Sequence, residues 1–565
     1  MTKYGKLYNP NTPQNQPMEA GQVKNNAGGY VFQVTPWVRL GRFLQLGSEN
    51  PTYYQHAPAL TKENAKCVIE CWNTDPRHTA ETICEISDAG RAPKNDPAIF
   101  ALALGAINSN KEARQEAHAA VQAVCRTASY LFQWQNDCGG VGKGSGRGYK
   151  RVLANWYGGM DTSDLAFQMV KYRQRAGYTH KRAIELSNQG PQSCEEDRIN
   201  LYKWARGKEV SGKLPAIVEA HIEAMTLEPK DSKRLIELIT AHKLPWEAIP
   251  TWALTSKEVW EALIPTVGLT ALIRNLGNIT AAGALTGDNY KEVTKRLLNE
   301  KALDKARIHP FNVLQALAIY RSGQGMRGNK TWTPVTKVTD ALNEAFYKCF
   351  KYAGVTGKKI LIGLDVSGSM TAPIGAPKVD MHGSWTRARL TSGEKPNPLS
   401  CREAAAAMCL VLLKNEPNID IIGFTHGEIK TGTSARTRWD APHKRMGVMP
   451  LDITPSRRLD DVVDYTGRQH FDATDCSLPM RWALNEKKTY DAIVIYTDNE
   501  TWSGHVHPKE ALLEYRRKMG VDTKLIVCAM TSTGFSIADP NDGGMLDICG
   551  IDSAVPALIS NFMKH

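Results

Sequence analysis

Apolar residues recur at three- and four-residue spacing from about Lys62 to Phe350, which predicts many short amphipathic helices with polar connections. The runs 98–109, 111–132, 231–245, 256–279 and 309–323 show this most clearly, and many of them stop at proline or glycine. Strand-like runs are nearly absent from this part. So many short helices cannot form one simple bundle. Stacked helix pairs, each burying a face on the next, are the natural solution.

The pattern changes near Thr356. Short Val/Ile/Leu-rich runs occur at 358–366, 419–425, 490–498 and 523–531, with helical patterns at 400–416, 477–487, 508–519 and from Ser553. Continuous apolar strands alternating with helices predict a doubly wound α/β domain whose parallel sheet is covered on both faces. Such sheets bind ligands at the carboxyl ends of their strands.

Composition narrows the choice of class. The 565 residues are 42% hydrophobic and 23% charged, which is globular rather than disordered. No window has the ~18–20 apolar residues of a membrane span. The N-terminus, MTKYGKLYNPNTPQNQP, lacks the apolar core of a secretory signal and reads as a flexible arm. The 12 cysteines are scattered, without a C-x-x-C pair, so they read as reduced buried thiols rather than a disulfide framework or a zinc site.

The net charge is +12. Residues 1–350 hold 44 Lys/Arg against 33 Asp/Glu, whereas 351–565 hold 26 against 25. The excess therefore sits on the helical part. A polyanionic partner and simple solubility explain it equally well.

Two regions carry candidate chemistry. In the α/β part, the first strand ends in DVSGSM, which sets Asp365, Ser367 and Ser369 at alternate positions. The loop DATDCS brings Thr474 and Asp475, and the run YDAIVIYTDN ends at Asp498. Carboxylates and hydroxyls converging at strand ends suit a small hard divalent cation. In the helical part, 138–182 holds Lys143, Arg147, Lys150, Arg151, Lys171, Arg173, Arg175, His180, Lys181 and Arg182. Its glycine run 139–148 and the aromatics Trp156, Tyr157, Tyr172 and Tyr178 suit phosphate contact and base stacking, and equally suit a solvated face over an aromatic core. Gly144 stands where a Walker loop needs Ser or Thr after Lys143.

Asp365, Ser367, Ser369, Thr474 and Asp498 resemble the von Willebrand factor A family and its metal-ion-dependent adhesion site. That resemblance implies that these five residues hold Mg²⁺ or another divalent cation, the hydroxyls directly and the acids partly through water. A partner's carboxylate would fill the open position. Haloacid-dehalogenase phosphatases also carry an Asp at this strand end, but they need a second Asp where this chain has Ser367.

GGYVFQVTPWVRLGRFLQLGSE (28–49), ANWY (154–157), KYRQRAGYTHK (171–181) and KARIHPFNVLQAL (305–317), with residues 256–280, resemble the TROVE module. Residues 506–550 resemble the C-terminal half of the Ro autoantigen family. The resemblance implies a flexible arm at 1–27, a closed toroid of HEAT-like repeats at 28–355 and an A domain at 356–565. It implies binding of small noncoding Y or Y-like RNA on the outer ring surface, and of single-stranded ends of misfolded RNA in the hole. The function implied is RNA quality control in the cytoplasm, non-enzymatic, by a monomer with no membrane contact. The A domain would recruit a protein partner such as an exoribonuclease.

Basic outer-surface positions of the family carry over to Lys171 and Arg175. Asn188 and Glu185 stand where the family usually has His and Arg. Arg39 and Arg42, and Arg307 with His309, are either hole-lining or structural. A metal-dependent protein-interaction scaffold without a specific RNA role is the competing reading.

Overall fold

The first residues of the chain belong structurally with its last ones. The computed structural model describes residues 12–25, 27–46, 65–142, 146–187, 195–325, 329–351, 354–371, 400–426, 447–467, 473–531, 535–551 and 553–564. These fall into two compact units: Leu60–Cys349 is one, and Met1–Ala59 with Phe350–His565 is the other. The expected arm at 1–27 is therefore not free over residues 12–25. The boundary expected at residue 28 also moves, because the first strands and helix join the C-terminal unit. Two strands open the chain, β1 (Gln22–Lys24) and β2 (Tyr30–Gln33), antiparallel to one another. The helix Pro36–Leu46 follows.

In the helical unit, helices run from Lys66–Thr74 to Thr336–Lys348. Two expected long helices are each broken in two. Lys111–Val124 and Ala128–Gly140 are separate because the Thr127 hydroxyl caps the second by accepting from the Tyr130 amide. Lys257–Leu263 and Leu269–Ala281 are separated at Pro265 and Gly268. Trp72, Trp134, Trp156, Tyr157 and Trp260 are fully buried among the helices. A small antiparallel hairpin, β3 (Gln174–Arg175) and β4 (Tyr178–Thr179), is the described exception to the helical pattern, with its turn at Ala176 and Gly177, both at positive φ.

The two ends of this unit meet. Arg307 pairs with the Asp88 carboxylate and donates through Nε to the Asp88 carbonyl at 2.6 Å, across 219 residues of sequence. Asn312 Nδ2 donates to Pro93 O at 3.0 Å. His309 is buried. Its Nδ1 accepts from the Phe311 amide at 3.1 Å, and its Nε2 lies 3.2 Å from Arg91 O. Of the two readings for Arg307 and His309, the structural one holds: they close the helical unit on itself.

The second unit is built on a six-stranded sheet. Its strands are β5 (Ile360–Asp365), β6 (Ile419–Phe424), β7 (Val448–Pro450), β8 (Ala492–Thr497), β9 (Lys524–Ala529) and, after the short β10 (Phe535–Ser536), β11 (Met545–Cys549). The order is β11-β9-β8-β5-β6-β7, parallel except for the edge strand β7. Every residue of β5 and β8 is buried, as an all-apolar central strand requires. The four expected strands are all present. β7 and β11 were not legible, being short or interrupted by polar residues. The strand order reverses beside β5, which opens a crevice at the carboxyl ends of β5 and β8. A separate three-stranded sheet, β1-β2-β10, ties the N-terminus to this unit.

Two predictions come from the helical unit. Arg307→Ala lowers stability by ~1 kcal/mol, since the ion pair it removes is half-exposed. Amide exchange then rises together in 88–93 and 307–312, measured by hydrogen–deuterium exchange. Burial lowers the imidazole pKa from 6.5 to about 4 for His180 and to about 3 for His309. Both stay neutral in the fold while the unfolded chain takes up protons. This contribution is thus complete above pH 6.5 and is lost as pH falls towards about 4. Melting temperature falls over that window, and His309→Asn, which keeps a capping acceptor, makes the fall shallower.

Candidate functional site

The first cluster lies in the crevice of the α/β unit. Asp365 ends β5, and Asp498 directly follows β8, the neighbouring strand. Asp365, Ser367, Ser369, Thr474 and Asp498 are all buried. The Asp365 carboxylate accepts from the Ser367 amide at 2.9 Å and from the Thr497 hydroxyl at 2.7 Å. Ser367 Oγ lies 3.1 Å from Ser369 Oγ. Asp498 Oδ1 accepts from the Glu500 amide at 3.1 Å, while Oδ2 is buried with no hydrogen-bond partner.

The electrostatics of this cluster are unfavourable as it stands. Burial, and then the neighbouring Asp365, push the Asp498 carboxyl well above its usual range. Burial raises Asp365 as well. Two buried acids and an orphaned carboxylate oxygen are what a divalent cation would neutralise. Among the described residues no three His, Cys, Asp or Glu side chains gather to hold a metal. The donors are two carboxylates and hydroxyls, an oxygen set that suits Mg²⁺ rather than zinc.

Three neighbours outside the motif shape the cluster. The helix Cys401–Asn415 begins beside it, capped by Ser400 in a reciprocal pair with Glu403. Its buried Arg402 donates to Val366 O at 3.2 Å and Ser367 O at 3.0 Å, gripping the loop after β5. Burial lowers the Arg402 pKa to about 10. Thr497 holds Asp365 as described, and Asp475 sits behind Thr474. Asp475 Oδ1 accepts from the Ser477 amide at 2.9 Å, the Ser477 hydroxyl at 2.6 Å and Gln14 Nε2 at 2.7 Å. Arg402 and Gln14 carried no periodicity or motif that would have marked them.

The basic stretch divides into exposed and structural residues. Arg147, Lys150 and Arg151 are exposed on the helix Arg147–Gly158, at spacing that puts them on one face. Lys181 and Arg182 are exposed on the helix His180–Ser187, which packs against it. Arg173 is exposed nearby in sequence. Lys171 is half-buried, its ammonium 5.2 Å from the Tyr172 ring centroid. Arg175 is held by Asp96 at 3.0 Å, Gln133 Oε1 at 3.0 Å and Ser129 Oγ at 3.2 Å. Lys143, Asn188 and residues 372–399 lie outside the described residues. Glu185 is exposed.

Two residues offered for RNA contact are core residues. His180 is buried, with Nδ1 2.8 Å from the Tyr157 hydroxyl and Nε2 3.0 Å from Tyr172 O, so its ring is spent on the core. Arg42 is buried in the C-terminal unit, where it donates to Phe535 O at 2.8 Å and pairs with Asp547 of β11. Arg39 lies on the same helix, Pro36–Leu46, and is half-buried. Two of the interleaved aromatics, Trp156 and Tyr157, are core residues too; the Trp156 indole donates to Cys125 O at 2.6 Å.

Family comparisons identify both regions of the chain. The TROVE domain family matches residues 23–216 and 241–319, and the Ro60 vWA domain family matches residues 359–563. RNA-binding protein RO60 of Caenorhabditis elegans is 32% identical, over 97% of this chain and 91% of its own length. RNA-binding protein RO60 of Deinococcus radiodurans is 36% identical, over 98% of this chain and 97% of its own. The crystal structure of the Deinococcus radiodurans RO (RSR) protein covers 94% of this chain and 99% of that one, with 34% identity and a TM-score of 0.66. Two matched domains in the expected order, and full-length relatives in two distant organisms, lead to one conclusion: this chain belongs to the Ro60 family.

Proposed function

We propose that this chain is an RNA-binding protein whose helical unit takes noncoding RNA and whose A domain captures a protein partner through a divalent cation. The observation that carries the RNA part is the exposed basic row Arg147, Lys150 and Arg151, adjoined by Lys181 and Arg182 on the packed neighbouring helix. Five cations on two adjacent helix faces, without described acidic partners, form an electrostatic footprint for phosphates. Arg182 Cζ lies over the Tyr178 ring, 4.7 Å from its centroid. The RNA classes are Y or Y-like RNA on this outer surface and single-stranded ends of misfolded RNA in the ring hole, in the service of RNA quality control.

In the A domain, Asp365, Ser367, Ser369, Thr474 and Asp498 would hold Mg²⁺. The bound ion supplies a Lewis-acidic position for a carboxylate of a partner, an exoribonuclease fitting the RNA role. The chain's own groups keep the ion's oxygen donors aligned: Thr497 orients Asp365, and Arg402 holds the loop bearing Ser367. No catalytic step is assigned to them. Buried thiols such as Cys125, Cys409 and Cys528, outside any disulfide, fit a reducing cytoplasm. Among the described residues no helix is long and apolar enough to cross a membrane. A helical unit closed within one chain fits a monomer.

Binding weakens steeply with salt, and 3′-tailed RNA binds better than blunt duplex in a mobility shift with no cleavage. Arg147→Ala, Lys150→Ala and Arg151→Ala combined reduce the slope of log affinity against log salt by about 2. Equal binding of blunt and tailed RNA by the wild type would contradict the reading. For the cation, Asp498→Asn abolishes Mn²⁺ uptake measured by electron paramagnetic resonance. The same substitution raises the melting temperature of the metal-free protein, because it removes a buried ionisable carboxyl held beside Asp365.

A further inference from the structure

The N-terminal segment reaches the candidate cation site. Gln14 is fully buried in the C-terminal unit. The amide nitrogen donates to Asp475 Oδ1 at 2.7 Å and to Val506 O at 2.9 Å. The amide oxygen accepts from the Thr501 hydroxyl. Asp475 is the residue after Thr474, and Thr501 lies three residues after Asp498. One carboxamide thus spans the two loops that carry Thr474 and Asp498.

The bridge is reinforced on every side. Thr501 Oγ1 also accepts from the Cys476 amide at 3.1 Å, linking the same two loops directly. The Gln14 backbone donates to Gly504 O at 2.9 Å and accepts from the Tyr30 amide at 2.8 Å. Asn25 Nδ2 donates to Thr501 O at 2.8 Å, and the Ala27 amide donates to Glu500 Oε2 at 3.2 Å. Gly504 and Gly29 make room for this approach: a Cβ at Gly504 would overlap Gln14 and Asp475, and one at Gly29 would overlap Thr501 O. A flexible tail does not need glycines facing it.

We infer that the N-terminal segment is a working part of the cation site, with Gln14 as a positioning residue that sets the separation of the Thr474 and Asp498 loops. This rests on the reading of the crevice as a divalent-cation site. Gln14 touches no proposed ligand atom; it acts through Asp475 and Thr501. Both groups are buried, so losing the carboxamide leaves their polar atoms to find new partners, and the loops move to supply them. Groups of this kind behind metal ligands govern affinity as strongly as many ligands do.

The test uses the full chain and Mn²⁺ alone, with free Mn²⁺ measured by electron paramagnetic resonance and metal-free stability by thermal melting. Gln14→Met fills the volume without the hydrogen bonds, and it weakens Mn²⁺ binding by about tenfold or more. Thr501→Val does likewise, while Thr501→Ser, which keeps the hydroxyl, binds as the wild type does. The double variant Gln14→Met with Thr501→Val is no weaker than the weaker single one, since both break one bridge. Unchanged Mn²⁺ affinity in Gln14→Met, with melting lowered, would reduce Gln14 to a packing residue and overturn the proposal alone. Should Gln14→Met not fold, unchanged affinity in Thr501→Val overturns it in the same way. A wild type that takes up no Mn²⁺ overturns the cation reading and this inference together.

Discussion

Two carboxylates buried side by side at the ends of β5 and β8 are the constraint around which the C-terminal unit is arranged. A pair of like charges in a dry crevice is unfavourable, and Asp498 leaves one oxygen without any partner. The surroundings answer this in part with donors aimed at Asp365 and with the cation of Arg402 nearby. The rest of the imbalance is what the proposed divalent ion would neutralise. The loops after β5 and β8, the helix Cys401–Asn415 and the N-terminal segment all converge there, each holding a donor or the backbone that carries one.

The helical unit solves a different problem. Its short helices cannot bury their apolar faces alone, so each packs on the next. The contacts of Asp88, Arg91 and Pro93 with Arg307, His309 and Asn312 join the end of that row to its beginning. Closure removes two exposed terminal faces. The exposed basic row Arg147, Lys150 and Arg151 lies on helix surface that the core does not need, which leaves it available to phosphates.

Much of this was readable from the residues. The four main strands of the A domain and the site residues at their ends were legible because a central parallel strand must be apolar throughout, and its polar ending then stands out. Helix positions were legible from spacing, while their breaks at Thr127 and Gly268 depended on caps that periodicity does not encode. Misreadings concentrated in the basic residues. Arg42 and His180 look like their exposed neighbours in a list of charges, yet each is buried on a partner of the core: Asp547 and Tyr157 respectively. The polar N-terminal run was expected to be free for the same reason. Its glutamine and asparagine side chains form hydrogen bonds with residues more than 450 positions away.

Taken alone, then, the order of residues determined the class of each half, the metal-type motif and the asymmetry of charge. All three depend on local pattern: periodicity, strand-end chemistry and counting. Tertiary structure alone decided which cations are exposed, where the helical row closes, and that residues 12–25 and 27–33 pack with the C-terminal unit. Those outcomes depend on burial and on hydrogen bonds between distant segments, whose cost or gain exists only once the segments have met.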